Sequence, residues 1–269
     1  KHKLIVPYNL VSKMRAGVLT MGALLGKYNS CSVSKPGGCS LGPRDYGWHL
    51  KGFNKLGAEN KLRGGYINLS AKKGLSGNTY KFPKVTVTGT SNLIMAAVLT
   101  KGITTLKNIS IEPEVIDLIT FLKNGGAKIK QVGKRTIKIF GVKKLLGCSH
   151  KIIGDRIEAF SYLCTGVITK GTIRVNNINP NYLLAELKVL KKIGCNITIK
   201  NSAIELKIKK KLKPVKIKTA PYPGFATDNM PALMAVLSKV NGISEITENV
   251  FGSYRFQAAP ELSRMGASI

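Results

Sequence analysis

The chain has 269 residues, 43% of them hydrophobic, enough for one large domain or two moderate ones with real cores. Five scattered cysteines (Cys31, Cys39, Cys148, Cys164, Cys195) without a CxxC pair argue against a disulfide framework and for free thiols in a reducing cytoplasm, and no apolar run approaches the ~18 residues that cross a bilayer. The formal charge of +30 comes from 43 basic residues of which only eight are arginine, and aromatics are 7%; lysine spread through the whole pattern favours an ordinary fold with a lysine-rich surface over a nucleic-acid-binding face.

In chain order, 16–26 has a helical apolar pattern and 30–34 reads as a short strand. The alternating, β-branched stretch 84–88 reads as another strand, followed by a helix over 91–99 and a half-buried strand over 103–107. Pro113 suits the first turn of a helix over 113–122, where its missing N–H costs nothing. A strand pair at 128–131 and 136–140 follows, joined by a short turn at 132–135. The same order then recurs: helix 156–168, strand 172–175, helix 182–193, and paired strands 196–200 and 204–208. A last apolar run, 230–237, follows a Pro/Gly-rich loop.

The recurrence is written into the residues. Leu56-Gly57-Ala58, Gly126-Ala127-Lys128-Ile129, Gly194-Cys195-Asn196-Ile197 and Gly266-Ala267-Ser268-Ile269 share one ending, with glycines 69, 68 and 72 residues apart. A second mark, Lys101-Gly102-Ile103, Lys170-Gly171-Thr172 and Asn241-Gly242-Ile243, keeps step with it. The predicted unit is strand–helix–strand–helix–strand–strand, an α/β fold. In this reading the first unit lacks its leading strand and the last stops where a hairpin is due, so the chain is expected to be cut at both ends.

Two segments stand out chemically. Lys35-Pro36-Gly37-Gly38-Cys39-Ser40-Leu41-Gly42-Pro43-Arg44 is a loop whose glycines let backbone approach a ligand, with Lys35 and Arg44 placed to favour a thiolate at Cys39. On spacing alone a structural thiol is the better-supported reading. Only His2, His49 and His150 are available as bases, and Cys31, Cys39 and His49 have no metal-ligand spacing, so no metal site is expected. In Pro221-Tyr222-Pro223-Gly224-Phe225-Ala226-Thr227-Asp228-Asn229, Asp228 is equally a helix cap or a carboxylate base.

Taken in order, Pro-Gly-Gly-Cys at 36–39 with Arg44, Lys-Val-Thr-Val at 84–87, Glu-Pro-Glu at 112–114, Asp-Arg-Ile-Glu at 155–158, Thr-Asp at 227–228, Ile-Thr-Glu-Asn-Val-Phe at 246–251 and Pro-Glu-Leu-Ser-Arg-Met-Gly-Ala at 260–267 resemble the UDP-N-acetylglucosamine 1-carboxyvinyltransferase family of enolpyruvyl transferases. The resemblance implies two inside-out α/β barrel domains, each incomplete here: 1–152 with the cysteine loop and 153–269 as the second. It implies transfer of enolpyruvate from phosphoenolpyruvate to the 3′-hydroxyl of UDP-N-acetylglucosamine with release of phosphate. That is the first committed step of peptidoglycan precursor synthesis, needing no cofactor, metal, nucleic acid or membrane.

By the same resemblance Cys39 is the proton donor, Asp228 the base and Arg44 the phosphate or carboxylate clamp. Arg15, Asp45, Tyr46, Gly47, Trp48, Lys84, Val85, Thr86, Val87 and Val250 match nucleotide-sugar contacts, although Arg15 alone reads as a solvated helix face and Val250 as core. The chain departs from the family at Asp45-Tyr46-Gly47-Trp48-His49, where Pro-Val-Asp-Leu-His is common, at Thr88-Gly89, and by one residue inserted near 252–255. The family's N-terminal Lys-Asn pair and C-terminal arginines have no counterpart in the chain. The alternatives are a non-catalytic remnant, an enolpyruvyl transferase acting on shikimate 3-phosphate, and a basic nucleic-acid binder.

Overall fold

The shared glycine has a backbone reason: Gly57, Gly126, Gly194 and Gly266 all adopt positive φ, from 91° to 112°, the left-handed position that ends a helix, and after the first three the chain enters a strand hairpin. In the computed structural model, which describes residues 4–35, 37 and 46–269, the chain divides into two units, Lys1–Lys151 and Ile152–Ile269.

The first unit comprises β1 (Ile5–Val6), α1 (Tyr8–Val11), a 3-10 turn Arg15–Leu19, α2 (Thr20–Tyr28), β2 (Ser30–Ser34), α3 (Gly47–Lys55), β3 (Glu59–Arg63), β4 (Tyr66–Ser70), β5 (Thr79–Lys81), α4 (Val87–Ala97), β6 (Ile103–Lys107), α5 (Pro113–Asn124), β7 (Lys128–Gly133) and β8 (Thr136–Phe140). It holds two four-stranded sheets of one topology, ordered β1-β2-β4-β3 and β5-β6-β8-β7. In each, the first two strands are parallel and the remaining pairs antiparallel.

Two expectations are corrected here. The first repeat does have a leading strand, β1, whose two residues are too few to show alternation but pair with Ser32 and Val33. The stretch 84–88 is not a strand: β5 ends at Lys81, Pro83 interrupts the ladder, and Thr86 caps α4 by accepting from the Gly89 N–H at 3.3 Å.

Helices lie inside and sheets outside. Eight of the eleven α4 residues are buried. The strands instead alternate, with Cys31, Val33, Ile67 and Leu69 in the core and Ser30, Ser32, Asn68 and Ser70 on the other face. At the centre, Gly22 of α2 lets that helix touch α4; a Cβ there would sit 2.2 Å from the Asn92 carbonyl oxygen. The Asn92 amide closes the crossing, accepting from the Gly22 N–H at 2.8 Å and donating to the Val18 carbonyl at 2.9 Å and to His49 Nδ1 at 2.9 Å. With both amide protons committed, His49 Nδ1 must be the acceptor, so the ring carries its proton on Nε2.

The second unit comprises α6 (Arg156–Ile168), β9 (Thr172–Val175), a 3-10 turn Pro180–Leu183, α7 (Leu184–Ile193), β10 (Cys195–Lys200), β11 (Ala203–Ile208), β12 (Lys216–Lys218), a 3-10 turn Thr227–Asn229, α8 (Met230–Leu237), β13 (Glu245–Thr247), a 3-10 turn Gly252–Gln257 and α9 (Ala258–Arg264). Its sheets are ordered β10-β11-β9 and β12-β13, the latter pair parallel. Asp155 caps α6, accepting from the Ile157 and Glu158 N–H groups at 2.8 and 3.2 Å. No helix among the described residues is long and apolar enough to cross a membrane.

Candidate active site

Three groups of candidate residues fall at one position of the repeat, the start of its first helix, while Tyr46, Gly47 and Trp48 lie at α3 and Val250 follows β13. Arg15 opens the 3-10 turn before α2, Lys84–Val87 lead into α4, and Asp228 lies in the 3-10 turn before α8. Helix N-termini present unpaired N–H groups and positive potential, which suits anionic ligands.

In the first unit the Arg15 guanidinium donates to the Tyr46 hydroxyl and lies over that ring, 4.4 Å from its centroid. Tyr46 precedes α3, whose first residues are Gly47 and Trp48. The Trp48 carbonyl accepts the Tyr80 hydroxyl at 2.9 Å, tying α3 to the strand that runs on to Lys84–Val87. Lys84 is exposed and Val85, Thr86 and Val87 are half-buried. Arg15, Tyr46, Gly47 and Trp48 are therefore linked, with Lys84–Val87 approached through Tyr80. Cys39, Arg44 and Asp45 lie outside the described residues.

In the second unit a network holds Asp228. Buried Arg255 donates from Nη2 to Asp228 Oδ1 at 2.5 Å and from Nε to the Thr227 hydroxyl oxygen at 3.1 Å. The Asp228 side chain is still 58% exposed, so one carboxylate oxygen is fixed while the group stays accessible. Glu186 of α7 accepts from the Ala226 N–H at 2.9 Å and the Asn229 side-chain amide at 3.2 Å, holding the two ends of the turn. Glu248 accepts the hydroxyls of Thr219 and Thr227 and the N–H groups of Val250 and Phe251, bringing Val250 into the same network as Asp228. Val250 is 39% exposed and is not a core residue.

Arg255, Glu186 and Glu248 went unassigned in the sequence. The available signal was scarcity: with eight arginines and 13 acids in so lysine-rich a chain, each is a candidate for a fixed partner.

Burial pushes the thiols of Cys31 and Cys164 up to about 12 and that of Cys195 to about 11, with Cys195 adding to the effect at Cys164. None of these three is a nucleophile near neutral pH. Among the described residues no group of three or more His, Cys, Asp or Glu could hold a metal ion. The hollow of ≈ 470 Å³ bounded by Ile5, Ser32, Glu59, Asn68 and Lys72 lies along the first sheet and includes none of the candidate residues.

The arrangement of helices inside repeated sheets is the enolpyruvyl transferase fold. The enolpyruvyl transferase NikO from Streptomyces tendae superposes with a TM-score of 0.82 at 22% identity, over 97% of this chain and 62% of that one. EPSP synthase from Acinetobacter baumannii superposes with a TM-score of 0.70 at 21% identity, over 92% and 60%. A family model described as EPSP synthase (3-phosphoshikimate 1-carboxyvinyltransferase) matches residues 1–269, and the chain belongs to that family. Within it, the chain is 46% identical over 267 residues to UDP-N-acetylglucosamine 1-carboxyvinyltransferase of Pelagibacter ubique, and 45% identical over 270 residues to the protein of that name from Helicobacter pylori. It spans 64% of the length of either relative.

Proposed function

We propose that the protein carrying this chain transfers the enolpyruvyl group of phosphoenolpyruvate to the 3′-hydroxyl of UDP-N-acetylglucosamine, releasing phosphate, as a cytoplasmic step of peptidoglycan precursor synthesis. The observation that carries the reading is 46% identity over 99% of the chain to a relative of that name. The accessible carboxylate of Asp228, held through one oxygen by Arg255, supports it.

In this reading the chemistry is addition followed by elimination. Cys39 delivers a proton to the methylene carbon of phosphoenolpyruvate while the sugar hydroxyl bonds to the adjacent carbon and gives its proton to Asp228. Loss of a proton from the new methyl group then re-forms the double bond as the carbon–oxygen bond to phosphate breaks. Arg44 neutralises the phosphate or carboxylate, a role suited to its planar fork. Arg15, Asp45, Tyr46, Gly47, Trp48, Lys84, Val85, Thr86, Val87 and Val250 hold the nucleotide sugar.

The test uses the full reading frame that encodes the chain. Phosphate release from phosphoenolpyruvate is expected only with UDP-N-acetylglucosamine present, and Cys39→Ala is expected to remove most of it. The family model's own name makes shikimate 3-phosphate the competing acceptor. Turnover of that acceptor instead would overturn the reading, and no turnover of either would favour a non-catalytic remnant.

A further inference from the structure

We propose that Glu248 is the positioning residue of this site: acting through Thr227 and Arg255, it sets the direction of the Asp228 carboxylate. The inference rests on the proposed role of Asp228 as base and adds the group that orients it. Glu248 follows β13, and its two oxygens divide their work. Oε1 accepts the N–H groups of Val250 and Phe251, both at 2.7 Å, and Oε2 accepts the hydroxyls of Thr219 at 2.8 Å and Thr227 at 2.9 Å.

An ionised carboxylate can only accept, so the Thr227 proton is committed to Glu248 and its oxygen faces onward with lone pairs alone. Those lone pairs accept Arg255 Nε–H at 3.1 Å. A guanidinium is a rigid planar fork, so fixing Nε also fixes where Nη2 points, and Nη2 meets Asp228 Oδ1 at 2.5 Å. The Phe251 ring, whose backbone Glu248 also holds, lies 5.1 Å from Arg255 Cζ and limits the other movement open to the fork.

Burial pushes the Glu248 carboxyl up, but hydrogen bonds from Phe251 N–H, Thr219, Val250 N–H and Thr227 outweigh it and hold the group below the ordinary carboxylate range. The charge that sets the polarity of the relay is thus present throughout the neutral range. Glu186 has a different task, since it holds the Ala226 N–H and the Asn229 side-chain amide and not the Asp228 side chain.

Glu248→Gln separates the two halves of the carboxylate's work. The amide oxygen can keep the Val250 and Phe251 N–H groups, while the amide nitrogen donates to the hydroxyls and competes with Arg255 for the Thr227 lone pairs. Thr227→Val removes the relay at its middle, and Thr227→Ser restores a hydroxyl.

The experiment measures turnover of phosphoenolpyruvate with UDP-N-acetylglucosamine, together with solvent exchange of the Arg255 Nε–H proton by nuclear magnetic resonance, assigned by its loss in Arg255→Lys. Glu248→Gln and Thr227→Val are expected to lower kcat on the order of a hundredfold with the KM for the sugar nucleotide within about threefold, while Thr227→Ser stays within about threefold of the parent in both. The Arg255 proton is expected to exchange about tenfold faster or more in the two impaired variants and at the parent rate in Thr227→Ser. Equal effects of Val and Ser at 227, or parental exchange in Glu248→Gln, would overturn the proposal. Absence of turnover in the parent would sink the enzymatic reading alone, because the exchange measurement still decides whether Glu248 orients Arg255.

Discussion

At the scale of single residues the thiols divide by environment. Cys31, Cys164 and Cys195 are buried and hold their protons up to about 12, 12 and 11, whereas Cys148 is exposed. Iodoacetamide at pH 8 is therefore expected to label Cys148 in the native protein and the three buried thiols only after denaturation, read by peptide mass spectrometry. An epoxide phosphonate that mimics phosphoenolpyruvate is expected to select Cys39 over Cys148; equal labelling of the two would remove the case for an activated Cys39. The same burial has a stability consequence. These thiols are neutral when folded and titrate near 8.5 when unfolded, so their contribution is complete below that pH and is lost as pH climbs toward 11–12. The urea midpoint should fall between pH 8 and pH 10, and by less in Cys164→Ala than in the parent.

At the scale of elements, what was legible follows from how evenly each is half-buried. Helix α6, with a buried apolar stripe ending at Val167, reads directly from the sequence, and so does the β7–β8 hairpin with Ile129, Ile137 and Ile139 facing inward. The start of α4 does not. Gly89 and Thr90 are polar or small yet as buried as Leu93 and Ile94, so the turn ahead of residue 91 carries no helical period, while Lys84-Val85-Thr86-Val87 imitates a strand. In the candidate site, Asp228 and the cysteine loop stand out by composition. Arg255 becomes visible only when the fold brings it from 27 positions away to Asp228. Two substitutions test the α4 assignment. Thr86→Ala removes the cap and should cost ~1 kcal/mol by denaturant unfolding. Gly22→Ala forces a methyl against the Asn92 carbonyl and should cost on the order of 3 kcal/mol, with overpacking at the α2–α4 crossing as the cause.

At the scale of the whole molecule, the two units draw on separate cores. The first gathers Val11, Met21, Phe53, Leu93, Leu106 and Ile139, and the second Phe160, Leu190, Leu206, Phe225 and Leu233, with no residue in common. Between β8 and α6 the chain forms no helix or strand. Unfolding should therefore not be two-state: calorimetry should resolve two transitions, and Gly22→Ala, placed in the first core, should lower one and leave the other in place. The lysines add a second signature that separates them. On the outer face of the first unit Lys81 stands opposite Lys107 and Lys138 opposite Lys130, like charges paired across strands. On the second unit Lys216 is instead paired with Glu245 at 2.8 Å across β12 and β13, and Lys207 with Glu205 at 2.8 Å. Salt screens repulsion and attraction alike over about 8–10 Å near physiological strength. Raising sodium chloride from 0.05 to about 0.5 M, with a Debye length shrinking several-fold, should thus raise the transition that Gly22→Ala lowers by more than it raises the other. Equal shifts of the two would mean that the +30 charge acts on the chain as a whole, and the cross-strand lysine pairs would then have no separate effect.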